Sequence, residues 1–326
     1  MEPVSKAAIP VITILICACL CVFFLNTGIL SLFYLAPLGY AVLVSGTVLP
    51  VFASVAVINA LFSIVLNMVH QNVPVGMLTE ILYFTVLFLC FSWVIDNVKY
   101  FQIRAVYRFM LAAVTGSLAF LGFIVGDSSN SGFNIMLMGM AEYSTSVIFS
   151  AVEYDPVRHS ALLQILSPEK VVEVTRSVLF RGGALVGVIF LFFINRQISF
   201  IALSLIKKQR RTSGFVAFFA PPQTIWVLSC SLALILLTNL FRVEIIEVMA
   251  WNVFVVCVII FLAQGAGILV YLLSQRSPVF RVAGNVLIII MIFTPGINTL
   301  ALAASIILGI IECWRPIRRI AVAAEK

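Results

Sequence analysis

Long uncharged stretches dominate the hydrophobic pattern of this chain. No charged residue occurs between Thr27 and Val69, and apolar runs recur along most of the sequence. Because about 20 mostly apolar helical residues cross a bilayer, each run of that length predicts a spanning helix. Turn signals such as Ser45-Gly46-Thr47 and Pro295-Gly296 divide the longer runs. The pattern predicts an all-α, polytopic membrane bundle of about ten helices (range 8–10), at about 8–26, 28–46, 49–69, 76–95, 108–126, 180–203, 222–241, 249–273, 280–294 and 297–313.

One long segment, residues 127–177, is predicted to lie outside the membrane. Within it, the apolar stretch from Asn134 to Ala151 carries Glu142 and several hydroxyl groups, so we interpret it as an interfacial helix. The tripeptide Ser167-Pro168-Glu169 predicts a helix start, because Ser caps helices, Pro fits the first turn and Glu suits the helix dipole. We expect that helix to continue into the sixth span.

The composition agrees with a membrane setting. Hydrophobic residues make up 63% of the 326 residues and charged residues only 10%, whereas soluble domains carry about 25% charged residues. A soluble globule could not hide this much apolar surface. A soluble enzyme, a disordered chain and a secreted disulfide scaffold are therefore excluded, and a multi-pass membrane protein is predicted, with the lipid bilayer as its surroundings.

The net charge of +7 could indicate nucleic-acid binding in a soluble protein. With both termini in the cytoplasm (N-in/C-in), the ten-helix topology places 15 Lys and Arg residues inside and 5 outside. This split agrees with the positive-inside rule. The basic clusters are thus predicted to anchor the topology, and no nucleic-acid partner is expected.

Sequence motifs do not indicate catalysis. The chain has no P-loop, zinc-protease or nucleophile-elbow motif. Its seven cysteines lie in apolar runs or at the end of one, without a CxxC pair or a Cys/His cluster, so no metal site is indicated. We therefore predict a non-enzymatic protein with no catalytic residue and no cofactor.

Polar residues and glycines inside spans are the best candidates for a binding site, because polar groups are costly in lipid and usually face a bundle interior or cavity. Glycines on both sides of Ala266 would free the backbone beside Gln264 to line a cavity. For each amide the alternative is a hydrogen bond between helices, and for the arginine it is snorkelling to the cytoplasmic headgroups. The candidate substrate-binding residues are Gln264, Asn252, Gly265, Gly267 and Arg196.

Small residues spaced four apart predict places where two helices come close. Packing within the chain is one interpretation, and an interface with a partner protein is the other. The predicted helix-packing residues are Gly183, Gly187, Ala301, Ser305 and Gly309.

Three segments resemble the YybS-like family of uncharacterised bacterial membrane proteins. They are Ala263 to Tyr271, the basic–aromatic–proline stretch from Arg210 to Pro221, and Leu308 to Arg318 with Glu312 and Trp314. In that family we expect aspartate where Glu312 stands. The family is distantly similar to the substrate-binding membrane subunits of energy-coupling-factor transporters and to the cell-shape protein MreD. The resemblance implies a bacterial inner-membrane setting.

Three functions stay open from the sequence. The first is a small-solute binding or transport subunit that works with a partner membrane protein; lacking a nucleotide motif, it would need a separate ATPase or an ion gradient for active transport. The second is a scaffold for envelope or division machinery. The third is a lipid- or glycan-modifying enzyme that uses Glu142, Glu153 and Asp155.

Overall fold

The structure, a computed structural model, describes residues 3–25, 28–70, 76–95, 105–126, 132–151, 167–207, 218–241, 243–274, 297–315 and 317–318. These residues are helical apart from short turns and caps, and no strand occurs among them, which confirms the all-α prediction for this part of the chain. A 3-10 helix covers Gly28–Phe33 and a π-helical turn covers Leu179–Gly183. The α-helices are α1 (Pro3–Leu25), α2 (Leu35–Ser45), α3 (Leu49–His70), α4 (Gly76–Ile95), α5 (Ala105–Gly126), α6 (Gly132–Ala151), α7 (Pro168–Val178), α8 (Ala184–Lys207), α9 (Thr224–Phe241), α10 (Glu244–Ser274) and α11 (Ile297–Glu312).

Among the described residues, three helical stretches are long and apolar enough to cross a membrane: Tyr107–Ile124, Pro168–Ile206 and Glu244–Leu272. Shorter apolar stretches of 10–17 residues occur in α1 to α4, α9 and α11. The structure therefore agrees with a membrane protein. The predicted span at 280–294 and its Pro295-Gly296 break lie outside the described residues.

The predicted helix at 28–46 is divided in the structure. Its first part is the 3-10 helix, and the α-helix begins only at Leu35. Pro37 explains the break, because proline has no N–H for an α-helical bond to the preceding turn but fits the first turn of a new helix. The predicted turn that follows is confirmed: Gly46 has φ 69° and its N–H donates to the carbonyl of Val42 at 2.9 Å.

The predicted helix start at Ser167 is confirmed. The Ser167 side chain accepts a hydrogen bond from the backbone N–H of Lys170, Pro168 is the first helical residue and Glu169 lies in the first turn. The expected continuation of this helix is confirmed, since helical residues run without a gap from Pro168 to Ile206. The helix nevertheless changes direction between α7 and α8, at a kink within the π turn. Gly182 has φ 113° there, a conformation that residues with a Cβ rarely adopt.

Helix α10 is longer than predicted. It has 31 residues and begins at Glu244, five residues before the predicted start. Glu244 and Glu247 lie in its first turn, where carboxylates interact favourably with the helix dipole. At 1.5 Å per residue, α10 is about 46 Å long, so it exceeds a bilayer core of about 30 Å.

The chain divides into two compact units, where the sequence predicts a single membrane domain. Unit 1 is Met1–Arg210 and unit 2 is Arg211–Lys326. In unit 1, α8 packs against α2 and α5, and α4 packs against α5, around the fully buried Leu87, Phe91 and Phe192. In unit 2, α10 packs against both α9 and α11.

Candidate functional site

Helices α10 and α11 of unit 2 make a close backbone contact. A Cβ added at Gly265 would overlap the backbone of Ser305, and one at Gly309 would overlap the carbonyl of Phe261. Only glycine permits this approach, as expected for small residues at a helix interface. The crossing brings the end of α11 beside Gln264 of α10.

A buried ion pair follows directly at the end of α11. The Arg318 guanidinium donates from Nε to Glu312 Oε1 at 2.8 Å and from Nη2 to Glu312 Oε2 at 2.5 Å. The two side chains are 0% and 1% exposed. The backbone N–H of Arg318 also donates to Glu312 Oε1, at 3.2 Å. This bidentate geometry is the stronger form of an arginine–carboxylate ion pair.

The same arginine holds the segment that precedes α9. Its Nη2 donates to the carbonyl of Phe218 at 2.7 Å, and its guanidinium carbon lies 4.1 Å from the ring centroid of Phe219. Two residues further, the backbone N–H of Ala220 donates to Gln264 Oε1 at 2.7 Å. We call Gln264, Glu312 and Arg318, with the backbone of Phe218 and Ala220, the clasp.

The clasp joins the three segments that carry the family resemblance. Its chemistry is that of a structural connection, because the carbonyl oxygen of Gln264 is occupied by a backbone N–H and the side chain is only 1% exposed. Gln264 Nε2 also lies 3.9 Å from Cys313 Sγ. The expectation that Gln264 faces a solute is therefore not what the geometry favours. The ion pair of Glu312 and Arg318 was missed by the sequence reasoning, although both residues stood in the resembling segment.

The other predicted substrate-binding residues do not converge on Gln264. Asn252 is half-buried and donates to the carbonyl of Val248 on its own helix. It lies 12 residues from Gln264, which is about 18 Å along the helix. Gly267 is buried. Arg196 belongs to unit 1, where its guanidinium carbon lies 4.7 Å from the Phe200 ring centroid.

Two of the five predicted helix-packing residues, Ser305 and Gly309, lie at the α10–α11 contact. Ser305 also donates to the carbonyl of Ala301 one turn earlier. Gly183 lies in the π turn, where an added Cβ would meet the carbonyl of Val178 at 2.8 Å. Gly187 is exposed, with nothing within 4 Å of an added Cβ.

Unit 1 contains a second set of buried polar side chains, which connects α8 to the 3-10 helix and α2. Asn195 Nδ2 donates to the carbonyl of Leu32 at 2.7 Å. The Ser199 hydroxyl is shared between the carbonyl of Ala36 at 2.9 Å and that of Asn195, on its own helix, at 2.7 Å. Both side chains are essentially fully buried. The neighbouring Arg196 was predicted from the sequence as a site residue and this pair was not, although an amide and a hydroxyl four residues apart share one helix face.

Next to this connection lies an apolar groove of about 560 Å³. It is lined by residues of α1, the 3-10 helix, α2 and α8, and no described lining residue is charged. Ile198 and Ala202, on the face of α8 next to Ser199, form one wall. Thr13 and Tyr40 supply hydroxyl groups at an otherwise apolar surface.

Within the part of the chain that the structure describes, no group of three His, Cys, Asp or Glu side chains could hold a metal ion. No match to the chain was found among protein-family models, curated proteins or solved structures. The resemblance to the YybS-like family therefore stays a prediction that rests on the three segments.

Proposed function

We propose that this protein is a multi-pass protein of the bacterial inner membrane that binds a small solute and helps to move it together with partner proteins. The observation that carries the proposal is the groove between α1, α2 and α8. Its volume of about 560 Å³ falls within the range of about 300–1,000 Å³ for small-molecule pockets. Active transport would need a separate ATPase or an ion gradient, because the sequence has no nucleotide-binding motif.

The lining of the groove defines the class of solute. A charged solute would lose its hydration there without gaining an opposite charge, which is unfavourable. An apolar or amphiphilic molecule would instead gain from burying its surface. Two hydroxyl-bearing residues, Thr13 and Tyr40, also line the groove. We therefore place the solute in this groove and not at Gln264.

A substitution that fills the groove tests the proposal. The purified protein would be screened by thermal unfolding against vitamins, metabolites and medium-chain fatty acids. We expect at least one compound to raise Tm, since ligand at 100 times its Kd adds about 2.7 kcal/mol of stability. Ala202→Phe should abolish that shift, whereas the control Ala53→Phe, on the exposed surface of α3, should keep it. An absence of any shift, or an equal loss in both variants, would contradict the proposal.

The finer topology belongs to the same proposal, with about ten spans and both termini in the cytoplasm. The predicted distribution of Lys and Arg supports this orientation. Reporter fusions near residue 150 should report the outside, and fusions near residue 210 the inside. The same side for both would overturn the ten-span topology.

A scaffold for envelope or division machinery is the second candidate. It is favoured by Gly187, because a small residue open to its surroundings lets another helix approach closely. We expect Gly187→Leu to abolish co-purification of a partner membrane protein while leaving Tm unchanged. The groove-filling variant Ala202→Phe should leave that partner bound. If Gly187→Leu has no effect on any partner, this candidate loses its support.

A further inference from the structure

Helix α7 has two chemically different faces. At 100° per residue, Val171, Val174 and Val178 fall within an arc of about 60°. The polar residues Glu169, Lys170, Glu173, Arg176 and Ser177 fall within a separate arc of about 120°. A helix that is polar on one face cannot cross a bilayer alone, but it fits the boundary between water and lipid.

Two of the three valines on this face of α7 are exposed, and Val171 is half-buried. Val174 is 61% and Val178 is 57% exposed, and α7 has no buried residue, although it packs against α6. Neighbouring exposed valines on one face of a surface helix mark a surface that contacts another protein or a membrane. Among the residues that the structure describes, none buries Val174 or Val178.

The connection to α8 indicates that the exposed valines contact lipid. After the kink at Gly182, α8 continues the chain as a helix with a strongly apolar stretch. Its side chains at Val186 and Phe190 are 46% and 45% exposed. If α8 crosses the bilayer, these side chains face lipid. The exposed valines of α7 end four residues before the kink, so the two apolar surfaces follow one another along the chain.

We propose that α7 lies along the membrane surface, with Val171, Val174 and Val178 at the boundary between lipid headgroups and acyl chains. Gly182 then provides the change of direction at which α8 enters the bilayer. The inference rests on the proposed function insofar as α8 is a membrane span. Under the proposed orientation, α7 contacts the outer leaflet. This assigns a lipid-contacting role to α7, in addition to the interfacial helix predicted at 134–151.

Depth-dependent fluorescence quenching tests this placement. An environment-sensitive fluorescent amino acid would be introduced at Val174, at Glu173 as the matched control, and at Phe190 as the reference in α8. The full chain would be reconstituted in vesicles of phosphatidylethanolamine and phosphatidylglycerol. These vesicles would contain lipids brominated either near the headgroup or near the end of the acyl chain, and iodide would be the quencher from water.

We expect shallow bromine to quench the probe at Val174 at least threefold more than the probe at Glu173, which iodide should reach. Deep bromine should quench the probe at Phe190. If iodide quenches Val174 as strongly as Glu173, or if neither bromine nor iodide reaches it because protein covers the face, the inference is overturned. A probe at Phe190 that no brominated lipid quenches would instead refute α8 as a span, so the two failures are distinguishable.

Discussion

The two units use different polar chemistry to connect their helices. In unit 2, the clasp relies on an ion pair, Glu312 and Arg318, placed where α11 ends. In unit 1, the connection relies on the uncharged groups of Asn195 and Ser199, which lie near the middle of α8. A charge at the centre of a bilayer is far more costly than an amide or a hydroxyl. The uncharged contact near the middle of α8 and the ion pair at the end of α11 agree with this difference in cost.

The helix contacts themselves also differ. In unit 2, the backbones of α10 and α11 meet at Gly265 and Gly309, and no side chain separates them. In unit 1, large side chains fill the core, as with Phe91 and Phe192, whose ring centroids are 5.6 Å apart. A backbone contact cannot relax by a change of rotamer, whereas a packed side chain can. Unit 2 should therefore tolerate changes at its contact less well.

The largest effect is expected at the glycine contact. Gly265→Leu should separate α10 from α11 and unfold unit 2, because the added side chain would overlap the backbone of Ser305. Thermal unfolding and limited proteolysis of the full chain would measure this loss. Gly122→Leu is the control, since an added Cβ there meets nothing within 4 Å. A stable Gly265→Leu variant would show that the close contact is not required.

The next largest effect is expected at the clasp. Arg318→Leu should destabilise the protein by about 3–5 kcal/mol, because it leaves the buried Glu312 carboxylate without its partner. The control is Arg315→Leu, three residues earlier but exposed, which should change stability little. Adding Glu312→Leu to Arg318→Leu should restore part of the loss. Equal effects at the two arginines in chemical denaturation would contradict the clasp.

An intermediate effect is expected for Gln264. Gln264→Ala leaves the buried N–H of Ala220 without an acceptor, which costs about 1–3 kcal/mol. Gln264→Glu keeps an oxygen at that position and should retain more of the stability at a pH where the carboxyl is neutral. The measurement is Tm with and without the ligand found in the screen. A variant with unchanged Tm but lost ligand binding would instead support a solute contact.

The smallest effect is expected in unit 1. Ser199→Ala removes a hydrogen bond between helices and should cost about 0.6 kcal/mol, the average for such bonds in a membrane protein. Ser204→Ala is the control, since Ser204 donates only within its own helix, to Ile201. Both would be compared by chemical denaturation. A loss at Ser199 as large as that at Arg318 would remove the distinction between the two units.

Much of the helical layout could be predicted from local features of the sequence. The cap at Ser167 and the turn at Gly46 were both predictable, because hydrogen bonds within a few residues determine them. The kink at Gly182 was not, since one glycine inside an apolar run is compatible with a straight helix. The site was predicted less well: Gln264 was recognised as unusual, but its partner Ala220 lies 44 residues away.

By itself, the sequence determined that the chain is helical and apolar enough for a membrane. A long apolar run predicts a helix directly, because backbone groups in lipid must find their hydrogen-bond partners within the same helix. Only the tertiary structure decided that Gln264 and Arg318 bind the segment before α9. It also decided that Asn195 and Ser199 connect α8 to the 3-10 helix and α2, and that a groove lies next to Ser199. These features depend on which residues distant in sequence come together, and hydrophobic periodicity carries no information about such pairing.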